Sequence, residues 1–186
     1  MEFSVARPDV VRAISQRWLL KSWNRERGAR RVPLWQTVLA NDLSRVAAQL
    51  SILKVCGRDK AARFQVQFHG AAIAQAYGSA DCTGKHLDEI IPAADQSKHV
   101  APYHHALRVG HPVYTIHDVV DRGGRLVHFE RLLLPYGRDG ECIDHILAAF
   151  EFVSPEGAFN SQALMRSLKT APVLRLAATI EPKAEA

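Results

Sequence analysis

Three consecutive strand-like stretches in the C-terminal half of the chain constrain its fold most. They are VYTIHDVVD (113–121), RLVHFERLLLPY (125–136) and ECIDHILAAFEFV (141–153). The turns between them are Arg122-Gly123-Gly124 and Arg138-Asp139-Gly140. An Asp-Gly pair between two strands is a strong hairpin signal, because glycine adopts the positive φ that such a turn requires. These residues predict an antiparallel meander.

Two further strands are predicted upstream, in SILKVCG (51–57) and RFQVQFHG (63–70), the second with alternating apolar and polar residues. Between residues 70 and 110 the pattern becomes helical and broken, and Pro102 starts or kinks the last helix. The order is therefore two strands, several short helices and three strands. We expect an α+β fold with a five-stranded antiparallel sheet, short helices on one face and an N-terminal helix on the other.

The N-terminal helix is predicted to begin at Pro8 and Asp9 and to end at Gly28. Its apolar side chains would cover more than half of the helix circumference, which is more than one domain surface needs. We therefore expect the helix to pack on its own sheet and also on a second subunit of a homodimer, the alternative being that its extra apolar side is ordinary surface. The expected interface residues are Val11, Ile14, Trp18 and Leu20.

These elements divide the chain into three parts. Residues 1–50 form an N-terminal helical extension for dimerisation or capping, and residues 51–153 form the core domain. Residues 154–186 form a C-terminal helix, starting in FNSQALMRSLKT, and a flexible tail that ends in IEPKAEA.

Charge is unevenly distributed. The net charge of the chain is +5, and residues 1–31 alone hold eight cations against three acids. This segment is either a solvated helix face or an arm for nucleic acid or an acidic partner, and its large apolar residues make nucleic acid the less favoured reading. Because no apolar stretch suits a membrane span or a secretory signal, we expect a cytoplasmic protein with no membrane association.

Several short motifs follow the tryptophan-containing N-terminal helix in a specific order. They are Arg63-Phe64, Phe68-His69-Gly70, Tyr77-Gly78, Thr83-Gly84-Lys85, Leu87-Asp88-Glu89, Gly110-x-Pro112-Val113-Tyr114, Glu130-Arg131-Leu132-Leu133-Leu134-Pro135 and Asp139-Gly140. In this order the chain, over about residues 8–153, resembles small bacterial proteins that consist of a single PAS domain with an N-terminal helical extension. The resemblance implies a sheet and short helices that enclose a cavity, in a module that senses small molecules or cofactors or docks other proteins.

The resemblance does not name a ligand or a cofactor. PAS haem sensors ligate iron from the helix that corresponds to the segment after Gln96, so His99 and His105 are candidate cofactor ligands. The alternative for both is an ordinary surface or hydrogen-bonded histidine. Haem would also need a roomy apolar pocket. No metal site is predicted.

Strand phase places Phe129 and Arg131 on one face of the middle strand and Glu130 on the other. An apolar pocket with a few polar anchors is typical of ligand sites, and an arginine inside it favours an anionic ligand. The alternatives are an ion pair between Arg131 and Asp118, Glu130 or Glu151, and ordinary core packing for the tyrosines. The candidate ligand-site residues are Tyr77, Tyr103, His117, Phe129 and Arg131.

No constellation of residues predicts catalysis. Cys142 and His145 are three apart on a predicted strand and therefore lie on opposite faces, which weakens both a nucleophile and a zinc site. We expect a sensory or regulatory module, not an enzyme, that binds a small molecule or a signalling protein partner. The alternatives are a nucleic-acid-associated regulator and a haem-binding PAS sensor.

Overall fold

A computed structural model describes residues 1–40, 42–58, 61–79, 81–91, 93–166 and 171–181. Within these residues seven strands form one sheet, in the order β1-β7-β4-β5-β6-β2-β3. The strands are β1 (Ser4–Ala6), β2 (Leu50–Cys56), β3 (Arg63–His69), β4 (Val113–Val120), β5 (Leu126–Gly137), β6 (Ile143–Val153) and β7 (Val173–Ile180).

Helices cover both faces of this sheet. They are α1 (Ile14–Arg27), α2 (Trp35–Ala40), α3 (Ala71–Tyr77), α4 (Leu87–Ile90) and α5 (Ala93–Val109), with 3-10 turns at Pro8–Val10 and Ala47–Gln49. Pro102 lies inside α5. The predicted order of two strands, short helices and three strands is confirmed by β2 to β6.

The expectation of five antiparallel strands is wrong. All neighbouring pairs are antiparallel except β1 and β7, which are parallel, so the sheet is mixed. The two additional strands extend the edge that β4 would otherwise expose: β7 pairs along β4, and β1 pairs with the last three residues of β7.

The C-terminal segment also differs from its prediction, because residues 173–180 form a strand. Residues 159–166 form turns and irregular backbone in place of the expected helix. The amide of Asn160 donates to Asp121, and those of Ala163 and Met165 donate to carbonyls of α3. Residues 167–170 and 182–186, which include most of the predicted frayed end, lie outside the described residues.

The sheet separates two apolar clusters. Leu132 and Leu134 of β5 point towards α1, where Trp23 is completely buried. The indole Nε1 of Trp23 donates a 2.7 Å hydrogen bond to the carbonyl of Pro135 and so attaches the helix to β5. Phe129 and Leu133 point to the opposite face, towards α3 to α5. Coverage of the sheet on both faces agrees with the prediction.

The N-terminal helix is shorter than predicted, and two of the four residues expected at a dimer interface, Val11 and Leu20, are buried. It ends as expected before Gly28, but it begins at Ile14, so Val11 precedes it and is buried in the sheet-facing cluster. Leu20 lies on the buried side of α1 and is only 2% exposed. Of the four predicted interface residues only Ile14 and Trp18 remain on the surface, with 79% and 46% exposure.

Candidate ligand-binding site

Arg131 lies in the middle of β5 on the face covered by the helices, and it is only 3% exposed. Its Nη1 donates a 3.2 Å hydrogen bond to the carbonyl of His99 in α5. Its Nε donates a longer bond of 3.4 Å to the hydroxyl of Thr115, which the β4–β5 register places directly opposite. The guanidinium carbon stands 5.1 Å from the centroid of the Tyr103 ring, a cation–π geometry.

Among the described residues, the guanidinium of Arg131 has no acidic partner. Within the described residues no carboxylate lies within 4.0 Å of it, and its Nη2 is buried without a hydrogen-bond partner. Burying a cation costs roughly several kcal/mol of folding free energy unless a counter-charge compensates it. Arg131 is therefore a buried charge whose donors are only partly satisfied.

The three acids proposed as alternative partners of Arg131 are engaged elsewhere. Asp118 accepts hydrogen bonds from Arg175 (2.6 Å) and pairs with His128 (2.8 Å). Glu130 points to the opposite face, where the Tyr114 hydroxyl donates to it at 2.6 Å. The third, Glu151, accepts a hydrogen bond from Ser15 of α1. A structural ion pair does not account for Arg131 in this fold.

His117 lies on β4, two residues after Thr115, and contributes a second unsatisfied group. Its Nδ1 is buried and has no hydrogen-bond partner. Its ring lies 6.0 Å from Phe129 and 6.4 Å from His99, measured between centroids. Burial, with a smaller contribution from Arg131, lowers the pKa of His117 to about 3, so the imidazole is neutral at physiological pH.

The two predicted tyrosines lie on the helical side of the same region. Tyr103 of α5 packs against Arg131 and Phe64. Burial raises the pKa of the Tyr103 hydroxyl, and Arg131 partly opposes that rise. Tyr77, at the end of α3, packs against the apolar cluster that contains Tyr103 and Phe129, and burial raises the pKa of its hydroxyl. The structure thus brings the five predicted site residues together.

The two predicted cofactor histidines do not lie together. His99 faces His117 and is next to Arg131. His105 faces the other way: its ring stacks on Phe3 at 3.9 Å, and its nitrogens contact Thr179 and Arg108. Because both ring nitrogens of His105 are engaged, only His99 is placed near the candidate site.

Sequence reasoning missed Thr115 and the carbonyl of His99 as contacts of Arg131. The contact with Thr115 follows from the pairing register of β4 and β5, which the sequence alone does not specify. A backbone carbonyl carries no residue-type signal at all. Phe150 and Phe152 were missed as well; both stack on Phe129, with centroid distances of 5.8 and 5.1 Å.

Two surface depressions occur elsewhere in the molecule. One, of about 630 Å³, lies between the β4–β5 turn and the 158–161 segment, and the other, of about 360 Å³, lies between residues 2–4 and 174–177. None of the predicted site residues lines either depression. His145, three residues after Cys142, stacks on Trp35 and bonds to Asp144.

A comparison with protein families places this arrangement in a known fold. The family model described as the PAS fold matches residues 60–152, half of the chain. The chain belongs to the PAS fold family. The match spans β3 to β6 and therefore includes Arg131 and the residues around it. Strands β1 and β7 and helix α1 lie outside the match. No curated protein matches the chain.

In the part of the chain that the structure describes, no helix is long and apolar enough to cross a bilayer. The same residues contain no group of three or more His, Cys, Asp or Glu side chains arranged to hold a metal ion.

Proposed function

We propose that this PAS protein is a sensory or regulatory module that recognises a small oxyanion, a carboxylate or a phosphate, at Arg131. The observation that carries the proposal is the buried guanidinium, which has no acidic partner among the described residues and has an Nη2 donor without a hydrogen-bond partner. A planar guanidinium presents paired donors that match the two oxygens of a carboxylate or phosphate. An anion there would supply the counter-charge that the described residues do not provide.

His117 supports this assignment as a second ligand contact. A neutral imidazole donates a hydrogen bond through one nitrogen, and its Nδ1 has no partner in the protein. The rings of Phe129 and Tyr103 adjoin the same region and offer apolar contact to the rest of a ligand. Polar anchors next to aromatic rings are the usual composition of a small-molecule site.

Signal output is proposed to pass through protein contacts and not through catalysis. Glu130, the neighbour of Arg131 on β5, faces α1 and binds the hydroxyl of Tyr114. The side chain of Gln16 in α1 donates to the carbonyls of Glu130 (3.4 Å) and Ala149 (3.0 Å). A shift of β5 on anion binding would therefore reach α1 through these hydrogen bonds.

The test compares melting temperatures of the wild type, Arg131→Met and Arg122→Met, the last at an exposed turn position. Sodium acetate, succinate, benzoate and phosphate are added separately, each against sodium chloride at equal ionic strength. We expect at least one anion to raise the melting temperature of the wild type and of Arg122→Met, but not that of Arg131→Met. Equal shifts in all three proteins, or no shift with any anion, would remove the proposal.

A mass spectrum of the protein as purified, under native and denaturing conditions, complements this test. A small mass that is lost on denaturation and absent from Arg131→Met would identify the class of the bound molecule. Carboxylate and phosphate ligands are then separated by their exact masses.

A further inference from the structure

The outer side of α1 carries a surface that no other part of the described chain covers. Its exposed residues recur at helical spacing, so they lie on one face about 100° wide. Ile14 and Trp18 are large apolar side chains with 79% and 46% exposure. The others are cations. We call these residues the α1 stripe: Ile14, Arg17, Trp18, Lys21 and Arg25.

No acid lies on the α1 stripe. Within the described residues Arg17 and Lys21 form no ion pair. Arg25 lies 3.6 Å from Glu26 and donates a 3.0 Å hydrogen bond to the hydroxyl of Ser22, but its side chain is 72% exposed. Glu26 itself is held on the flank of the helix by hydrogen bonds from Ser22 and Thr37. The positive charge of the stripe is therefore directed outwards.

The buried side of α1 fixes this helix firmly, so the stripe is a preformed surface. Trp23 and Gln16 attach α1 to the sheet by hydrogen bonds to backbone carbonyls. With 14 residues the helix is about 21 Å long, the length of an ordinary helix–helix contact. Little conformational entropy would therefore be lost on this side of the interface when a partner binds.

We infer that the α1 stripe binds an acidic amphipathic helix of a partner protein. The apolar face of such a helix would cover Ile14 and Trp18, and its flanking Asp or Glu residues would pair with Arg17, Lys21 and Arg25. Tryptophan and arginine are the side chains that most often dominate binding at protein interfaces.

Charge disfavours the other occupants. In a homodimer through this stripe the three cations of each copy would enter one interface without an acid. A nucleic acid would pair with the cations but leave Ile14 and Trp18 without apolar contacts. An anionic membrane would gain only two apolar side chains, because the opposite side of the helix is committed to the sheet.

The experiment measures binding of a labelled synthetic helical peptide of about 18 residues, with leucines on one face and glutamates beside them, by fluorescence anisotropy. A control peptide has lysine in place of each glutamate. The wild type should bind the glutamate peptide at least about tenfold more tightly than the lysine peptide. The double variant Arg17→Glu/Lys21→Glu should reverse this preference, whereas Arg122→Glu should retain it.

A further variant, Trp18→Ser, tests the apolar part of the contact and should weaken binding of the glutamate peptide by about tenfold or more. Circular dichroism confirms that each variant is folded. Equal binding of both peptides by the wild type, or an unchanged preference in the double variant, overturns the inference.

The competing occupants are tested in parallel. Each of three results would contradict the acidic-helix assignment if the glutamate peptide does not bind. They are a dimer in sedimentation that Trp18→Ser dissociates, tight binding of a DNA duplex, and co-sedimentation with phosphatidylglycerol vesicles. None of these measurements involves Arg131, so their failure is distinguishable from failure of the anion site.

Discussion

Glu130 and Arg131 are consecutive buried residues of opposite charge that do not pair with each other. Successive side chains of a strand lie on opposite faces of a sheet, so Glu130 accepts a hydrogen bond from Tyr114 on the α1 side. Arg131 donates to His99 on the other side. Within the part of the chain that the structure describes, the sheet thus has an acid with a hydrogen-bond donor on one face and a cation without an acidic partner on the other.

Replacing Arg131 should cost little stability in the protein without ligand. Methionine fills a similar volume and removes a buried charge that has no counter-ion, so we expect Arg131→Met to leave the free energy of unfolding unchanged or to raise it by about 1 kcal/mol. Urea denaturation measures this. A loss of more than about 2 kcal/mol would mean that the bonds to His99 and Thr115 make Arg131 a structural residue.

Removing the Tyr114 hydroxyl should be costly, because it leaves the buried Glu130 without that donor. We expect Tyr114→Phe to destabilise the protein by about 1 to 3 kcal/mol. A double-mutant cycle with Glu130→Met, which removes the acceptor, should give a coupling energy above about 0.5 kcal/mol. Additive effects of the two substitutions would contradict the contact and the proposed route to α1.

His117 predicts a specific acid sensitivity. The folded protein keeps this imidazole neutral down to about pH 3, whereas the unfolded chain protonates it near 6.5, so the unfolded state binds more protons between these values. Stability should therefore fall as the pH falls from 6.5 towards 3, by at most about 1.4 kcal/mol per pH unit from this group. The variant His117→Gln should show a shallower slope in urea titrations over that window. Parallel curves for the two proteins would exclude this role.

Two tryptophans of the same helix should respond very differently to substitution. Trp23 is fully buried and hydrogen-bonded to Pro135, so Trp23→Ala should cost about 3 to 5 kcal/mol. Trp18 is 46% exposed, and Trp18→Ala should change the free energy of unfolding by no more than about 0.5 kcal/mol. Similar losses for both variants would contradict the orientation of α1.

The meander, the β2–β3 hairpin and the residues around Arg131 could be predicted because they depend on local signals. Glycine-containing turns separate β4, β5 and β6, and the two-residue period of a strand places Phe129 and Arg131 on one face with Glu130 on the other. The end of α1 at Gly28 is a signal of the same kind, since this residue adopts a φ of +53°.

The missed features depend on contacts between distant residues. Strand β1 has three residues, too few for a period to be recognised, and it forms by pairing with β7 more than 170 positions away. Val11 looked like a residue of the helix that follows, yet its burial is decided by where the chain meets the sheet. The pairing of Asp118 with Arg175 likewise follows from the β4–β7 register.

The most direct test of the anion site observes the guanidinium itself. The Nε–Hε resonance of Arg131, assigned by its loss in Arg131→Met, is followed by NMR while the anion with the largest effect on the melting temperature is added. We expect this resonance to shift saturably, with the same dissociation constant as the thermal stabilisation. A resonance that stays unmoved while other signals of the protein titrate would contradict the assignment of Arg131 as the anion anchor.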